Sequence, residues 1–294
     1  MLHHGFSVDV EEWFDGIAQG NNTGYERRLQ GQLEILLDLL EEYQTKATFF
    51  WLGSRALEYP KLVRRVEAHG HEIACHGLHH KPLYSMSPDD FFEELQTATN
   101  ILQEISGKKI MGFRSPHLSV TKRTLWAFEI LCELGYQYDS SVLPTTHWLT
   151  GVPGHSREIQ RITTPSGKIT EVPLPVRSFA SFAIPRTGGV YFRFYPYWLT
   201  CSNIASAQAR EKSVVFQIRP WELDAELPKI KTSLVKRFTH YHSLEHTTEK
   251  LHQLLTDFSF TTIAAMISEH HCAARQRENN LQFISFIPLH GGLR

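Results

Sequence analysis

Short apolar runs alternate with longer amphipathic stretches along this chain. In FSVDV, Phe6, Val8 and Val10 alternate with polar neighbours, the period-two pattern of a strand with one buried face. RRLQGQLEILLDLLEEYQ carries Leu29, Leu33, Leu36, Leu37 and Leu40 at helical spacing. ATFFWLG predicts a second strand. SRALEYPKLVRRVEAHG predicts a helix whose main part starts at Pro60 and ends at Gly70, and HEIACHG a third strand. Ser87 is placed to cap a helix beginning at Pro88, with Asp89 and Asp90 in its positively polarised first turn. MGFRSP then predicts a short strand, TKRTLWAFEILCELG a helix ending at Gly135, and YQYDSSV a strand.

Residues 144–192 are less regular, rich in Pro, Gly, Ser and Thr, with EVPLPV as their predicted strand. PYWLTCSNIASAQAREK predicts a helix and SVVFQIRPWEL a strong strand. DAELPKIKTSLVKRFTHYHS reads as a long excursion, LEHTTEKLHQLLTDF as a helix, and FSFTTI with AAMISEHH as one more βα unit. This rhythm predicts a parallel sheet with helices outside it, open or closed into a barrel. The expected organisation is one domain over residues 1–271, with 144–192 and 224–245 as irregular segments shaping a pocket. Residues 272–294 form a tail without a periodic pattern, a candidate either for disorder or for contact with a second copy.

In such architectures ligands bind at the carboxyl ends of the strands. Reading off those ends gives Asp9 and Glu11, then His76 and His80, then Arg114, Asp139, and Arg219 with Trp221. These residues are distant in sequence, yet the fold would gather them on one rim.

Composition narrows the classes. The 294 residues hold 30 basic and 31 acidic side chains, without the basic stripe of a nucleic-acid binder. No 18-residue apolar stretch predicts a membrane span, and MLHHGFSVDVEE turns acidic before a signal-peptide core could form, so the expected compartment is the cytoplasm. Cys75, Cys132, Cys201 and Cys272 are too dispersed for a CxxC metal site or a disulfide framework.

Among 17 histidines, spacing carries more information than abundance. His76 and His80, four apart in ACHGLHH, could face one ion; spacing alone does not distinguish them from a polar loop. With Glu11 they make two imidazoles and a carboxylate, a recurrent donor set for a catalytic divalent metal. Asp9 lies two residues before Glu11 on the same side of the strand. One carboxylate can hold the metal while the other takes a proton from the attacking water. Glu12 and Asp15 read equally well as helix-capping or solvated acids. Arg114 in GFRSPH could pair with Asp9 and keep it ionised, and Trp221 could supply an apolar wall.

Together these motifs resemble the polysaccharide deacetylases of the NodB-homology type, carbohydrate esterase family 4. SVDVEEW is similar to that family's first motif, ATFF with GHEIACHGLHH to its second, and GFRSP to its third, R-x-P. GGVYFRFYPYWL, VVFQIRPWELD and KRFTHYHSLEHTTEKLHQLLTDFSF resemble the trailing region of cytoplasmic deacetylases encoded beside exosortase-linked exopolysaccharide genes. The resemblance spans roughly residues 5–270. It implies a distorted (β/α)7 barrel, a divalent metal, usually zinc, and hydrolysis of an N-acetyl group from an amino sugar. By motif, Asp9 would be the base, Glu11, His76 and His80 the metal ligands, and Arg114 the group that orients Asp9. Pro116, Asp139, Arg219 and Trp221 are the expected substrate contacts. The substrate would be an acetamido sugar, either nucleotide- or lipid-linked or a short glycan.

One position departs from that family. Where relatives carry His before Pro-Trp-Glu, this chain has Arg219. A guanidinium stays protonated at any usable pH, so it is a poor proton donor, although it suits a carboxylate or phosphate. His117 is the expected substitute acid, with His147 and His155 as weaker candidates. Two alternatives stand beside the deacetylase: a metal-free hydrolase of small amides, and a sugar-binding pseudoenzyme motivated by Arg219.

Overall fold

The computed structural model of the protein describes residues 2–17, 24–145, 150–179, 182–185 and 187–285. The chain opens with β1 (His4–Val10), α1 (Leu29–Glu42), β2 (Thr48–Trp51), α2 (Gly53–Glu58), α3 (Pro60–Ala68) and β3 (Glu72–Cys75). It continues with α4 (Pro88–Ser106), β4 (Gly112–Phe113), α5 (Ala127–Glu133) and β5 (Tyr138–Asp139). Four short strands follow: β6 (Gln160–Thr164), β7 (Gly167–Glu171), β8 (Val176–Phe179) and β9 (Phe182–Pro185). The last part holds α6 (Gly189–Phe194), α7 (Tyr197–Gln208), β10 (Val215–Ile218), α8 (Leu234–Tyr241), α9 (Thr247–Asp257), β11 (Phe260–Thr261) and α10 (Ile263–Ser285). Among the described residues no helix is long and apolar enough to cross a membrane.

The main sheet runs β10-β1-β2-β3-β4-β5-β7-β6, with β11 also on β1. Every pair is parallel except the β6–β7 hairpin at the edge. Alternation along β1 sets the two faces. Phe6, Val8 and Val10 pack outward with Leu29, Leu33, Leu36 and Leu40 of α1, each such burial contributing about 1.5–3 kcal/mol. The other face of the sheet is apolar at its base, where Phe50, Ala74, Tyr138 and Val215 close around Ile263, Met266 and Ile267 of α10. Gly5 permits this plug: a Cβ there would lie 3.2 Å from the Met266 sulfur. Higher on that face the lining turns polar, with Ser7 and Asp9 both fully enclosed.

Register positions the rim. Val10, Trp51, Cys75, Phe113, Asp139 and Glu171 are successive partners in one row across the sheet. Glu11, His76 and Arg114 each follow that row by one residue, so the fold delivers them to the same level.

Three expectations need correction. EVPLPV does not form the predicted strand: β7 ends at Glu171 and β8 begins at Val176. Pro173 and Pro175 lack the N–H that a ladder requires. The helix expected over TKRTLWAFEILCELG begins only at Ala127, because Thr124 Oγ1 accepts a 2.8 Å bond from Thr121 N and holds a turn instead. The tail is helical well beyond Cys272, as far as Ser285.

Candidate functional site

Glu11, His76 and His80 offer donor atoms that all lie within 4.8 Å of one another. His76 is buried, and its Nδ1 donates to the Arg114 carbonyl at 2.8 Å. That bond fixes the tautomer and leaves Nε2 as the free lone pair; among the described residues this buried Nε2 has no partner. Burial pushes the His76 pKa down to about 4, against the pull of Asp9, so the ring is neutral at neutral pH. His80 Nε2 lies 2.8 Å from Glu11 Oε2. Burial disfavours the His80 imidazolium, yet the Glu11 charge outweighs it and raises its pKa. Burial likewise opposes a Glu11 anion, but Arg219 and His80 hold that carboxyl well below its ordinary value.

The backbone around these imidazoles is strained. His80 has φ 58° and His117 φ 57°, left-handed conformations that non-glycine residues seldom adopt. Their rings face each other with centroids 4.3 Å apart. Strain of about 1–3 kcal/mol at a residue persists only where surrounding structure imposes it, and it gathers at functional sites.

Asp9 sits beneath the triad. Arg114 Nη1 donates to its Oδ1 at 2.8 Å, and Gln217 Nε2 donates to its Oδ2. Arg114 is fully buried. It spends its other donors on Ser7 Oγ (2.8 Å), the Ser140 carbonyl (2.9 Å) and Ser140 Oγ (3.0 Å), and its guanidinium lies 4.2 Å from the Phe50 ring centroid. Burial alone would raise the Asp9 pKa; the charges of Arg114 and Arg219 outweigh it and hold Asp9 below its ordinary value. The result is an ionised carboxylate with fixed orientation.

Arg219 approaches from β10, its Nε 2.7 Å from Glu11 Oε1. Trp221 Nε1 donates to the same oxygen at 3.2 Å. Gly188 lets the chain before α6 press on this strand: its φ is +85°, and a Cβ there would lie 2.2 Å from the Gln217 carbonyl. Glu12 and Asp15 are structural. Glu12 accepts from Tyr59 Oη (2.8 Å) and from Arg28 N (3.2 Å) at the start of α1, and Asp15 is ion-paired with Arg55.

A cavity of about 230 Å³ opens above the triad. Glu11, His80, His117, Arg219 and Trp221 line it. Pro116 and Asp139 do not. Pro116 is buried in the turn that carries His117, and Asp139 is enclosed against Ser141 and Glu171. His155 bonds locally to Gln160, and His147 lies outside the described residues.

Two lining residues escaped the sequence reading. His240 stacks on Trp221 with centroids 4.1 Å apart, and its buried Nε2 has no partner among the described residues. Arg193 pairs with Glu222 at 2.9 Å and donates to the carbonyls of Thr239, His240 and His242, tying α8 to the site. Nothing in their spacing marks either residue; only the approach of α6 and α8 to β10 reveals them.

Comparison with known proteins divides the chain in two. Residues 22–138 match the polysaccharide deacetylase family, and residues 140–268 match a domain of unknown function, DUF3473. A chitooligosaccharide deacetylase of Bradyrhizobium sp. is 35% identical over 114 residues, 38% of this chain and 48% of that protein. A peptidoglycan-N-acetylglucosamine deacetylase of Bacillus cereus is 32% identical over 95 residues, 32% of this chain and 34% of that protein. The chain therefore spans less than half the length of these curated relatives. Among solved structures, a chain from Mycobacterium smegmatis superposes with TM-score 0.63 at 17% identity, covering 93% of this chain and 91% of that one. Puue allantoinase superposes with TM-score 0.60 at 15% identity, covering 92% and 90%. These likenesses show the fold, the distorted (β/α)7 barrel that the sequence led us to expect, seen here as a curled sheet.

Proposed function

We propose that this chain, whose residues 22–138 match the polysaccharide deacetylase family, hydrolyses the N-acetyl amide of an amino sugar in a polysaccharide or glycan precursor. The observation that carries this reading is the convergence of Glu11, His76 and His80 within 4.8 Å beside an ionised, aimed Asp9. The donor set fits a divalent metal, zinc by its two imidazoles and one carboxylate, and the orphaned Nε2 of His76 fits a ligand atom awaiting its ion. When bound, such an ion supplies a Lewis acid that polarises the amide carbonyl and acidifies water.

The chain's own residues do the rest. Asp9 takes the proton of the attacking water, and Arg114 with Gln217 keeps both Asp9 oxygens oriented. Trp221 and His240 form an aromatic wall for the sugar ring. The departing amine needs a proton that Arg219 cannot give; His117, against His80 at the cavity rim, is placed to give it, but burial holds its pKa at about 4, so it can pass on only a proton taken up during turnover. Arg219 stabilises negative charge, whether on the developing oxyanion or on a carboxylate or phosphate of the substrate. The products are acetate and the free amino sugar. The protein would work in the cytoplasm on nucleotide- or lipid-linked intermediates.

Acetate release from acetamido sugars, measured before and after chelation and after restoring zinc, tests the proposal. Undiminished activity in metal-stripped protein would remove it. One observation favours a second reading, a sugar-binding protein without turnover: Arg219 occupies the Glu11 oxygen that a cation would also claim. Arg219→His gaining acetate release over an inert parent would select that reading.

A further inference from the structure

We propose that the segment Leu227–Ser243, with α8 at its centre, seats this protein on an anionic lipid surface and so turns the cavity toward a sugar carried on a lipid phosphate. The second clause rests on the deacetylase reading; the first does not. LPKIKTSLVKRFTHYHS contains Lys229, Lys231, Lys236 and Arg237 and no Asp or Glu, in a chain whose net charge is −1. All four basic side chains are exposed. Beside them Leu234, Val235 and Phe238 are 82%, 73% and 54% exposed. Phe238 follows Leu234 by four positions and Val235 by three, so both are its neighbours on the helix surface. The Phe238 ring adjoins Phe194 and His242, with centroids 5.0 and 4.7 Å away, which extends the apolar surface.

The face is held firmly. Ser233 Oγ caps the helix start by accepting from Lys236 N at 3.3 Å. Arg193 grips its far end through the Thr239, His240 and His242 carbonyls at 2.7, 3.1 and 2.8 Å. Lys236, Thr239 and His240 line the cavity, so the exposed face borders the cavity mouth. Apolar side chains ringed by cations match the layered chemistry of an anionic bilayer, with acyl chains below and phosphates above. The same charges disfavour a second copy of the chain as the occupant, since four like charges would meet four.

Flotation of the full chain with vesicles tests this. It should rise with phosphatidylglycerol-containing vesicles, stay behind with pure phosphatidylcholine, and be released by high salt. The L234S/V235S/F238S variant should remain unbound. The K229E/K231E variant should bind about thirtyfold more weakly even if each charge is counted only as lost, at about 1 kcal/mol per basic side chain. Circular dichroism reports whether each variant is folded, and the charge variant carries the test should the triple variant unfold. Failure of the native chain to bind anionic vesicles overturns the proposal, as does native binding by either folded variant. A dimer seen by light scattering that the triple variant abolishes assigns the face to a second copy and overturns it too. Acetate release from a water-soluble acetamido sugar is scored separately. A chain that floats without releasing acetate sinks the deacetylase reading alone, and the reverse sinks the docking alone.

Discussion

Asp9→Asn separates the base from the metal ligands. The carboxylate meets two donors, Arg114 Nη1 at 2.8 Å and Gln217 Nε2. An asparagine must offer its amide NH2 to one of them. Arg114 has no acceptor to offer, whereas Gln217 can turn its own amide, so the new oxygen should face Arg114. Breaking a buried ion pair costs about 3–5 kcal/mol because the survivor is left uncompensated. Here the survivor keeps Ser7 Oγ, the Ser140 carbonyl and Ser140 Oγ, which places the cost near about 3 kcal/mol. Urea unfolding should show that loss with an unchanged m-value. Acetate release should fall by about 10²–10⁴-fold, the usual contribution of a positioned base. Zinc binding, followed by calorimetry, should persist in Asp9→Asn and vanish in His76→Ala. Full activity in Asp9→Asn, or loss of zinc equal to that of His76→Ala, would refute the division of roles.

Two further outcomes follow from titrating groups away from the triad. Burial and the neighbouring Asp139 hold the Glu171 carboxyl well above its ordinary value. A raised carboxyl stabilises the fold below its unfolded pKa and loses that contribution as pH rises; Glu171→Gln, whose amide can donate to Asp139, should therefore gain stability relative to the native protein as pH rises above the ordinary carboxylate range in urea titrations. His71 accepts a 3.1 Å bond from Ala47 N, and burial takes its pKa from 6.5 to about 4. Its neutral form stabilises the fold above pH 6.5, and up to about 3 kcal/mol of that is lost as pH falls toward 4; His71→Asn should flatten this part of the acid limb, and an unchanged limb would contradict the assignment.

The strands and the ligands were legible because one mechanism wrote both. Each parallel strand is a short apolar run, and each chemical residue follows its end, so Glu11, His76 and Arg114 could be read as neighbours before any contact was known. The start of α4 was legible for a local reason: Ser87 and Asp90 satisfy each other's backbone N–H groups, at 3.2 and 3.1 Å. The β6–β7 and β8–β9 hairpins were not, since their pairing depends on cross-strand partners rather than on a periodic signal. Arg193 and His240 were invisible for a stronger reason. The roles of both depend on contacts distant in sequence, His240 with Trp221 and Arg193 with Glu222, and no spacing rule encodes such distances. Arg219 was legible as a departure, although its ion pair with Glu11 was not.

That ion pair sets the charge of the whole site. With the imidazoles neutral, as metal ligation requires, Asp9 and Glu11 carry two negative charges and Arg114 and Arg219 two positive ones, so the protein groups balance before a cation adds its own charge. A neutral residue in place of Arg219 would leave a net negative pocket, better suited to a dication. Arg219 instead trades metal affinity for attraction toward anions. A cation claiming Glu11 must compete with an ion pair of 2.7 Å, worth about 1–3 kcal/mol, between an exposed pair and a buried one. Arg219→Gln should therefore bind zinc about ten- to a hundredfold more tightly by calorimetry, while the KM for a phosphate- or carboxylate-bearing acetamido sugar rises relative to its neutral analogue. Equal zinc affinity in the two proteins would mean that Arg219 moves aside at no cost. Equal discrimination between charged and neutral sugars would mean that the guanidinium serves the oxyanion and not the substrate's own charge.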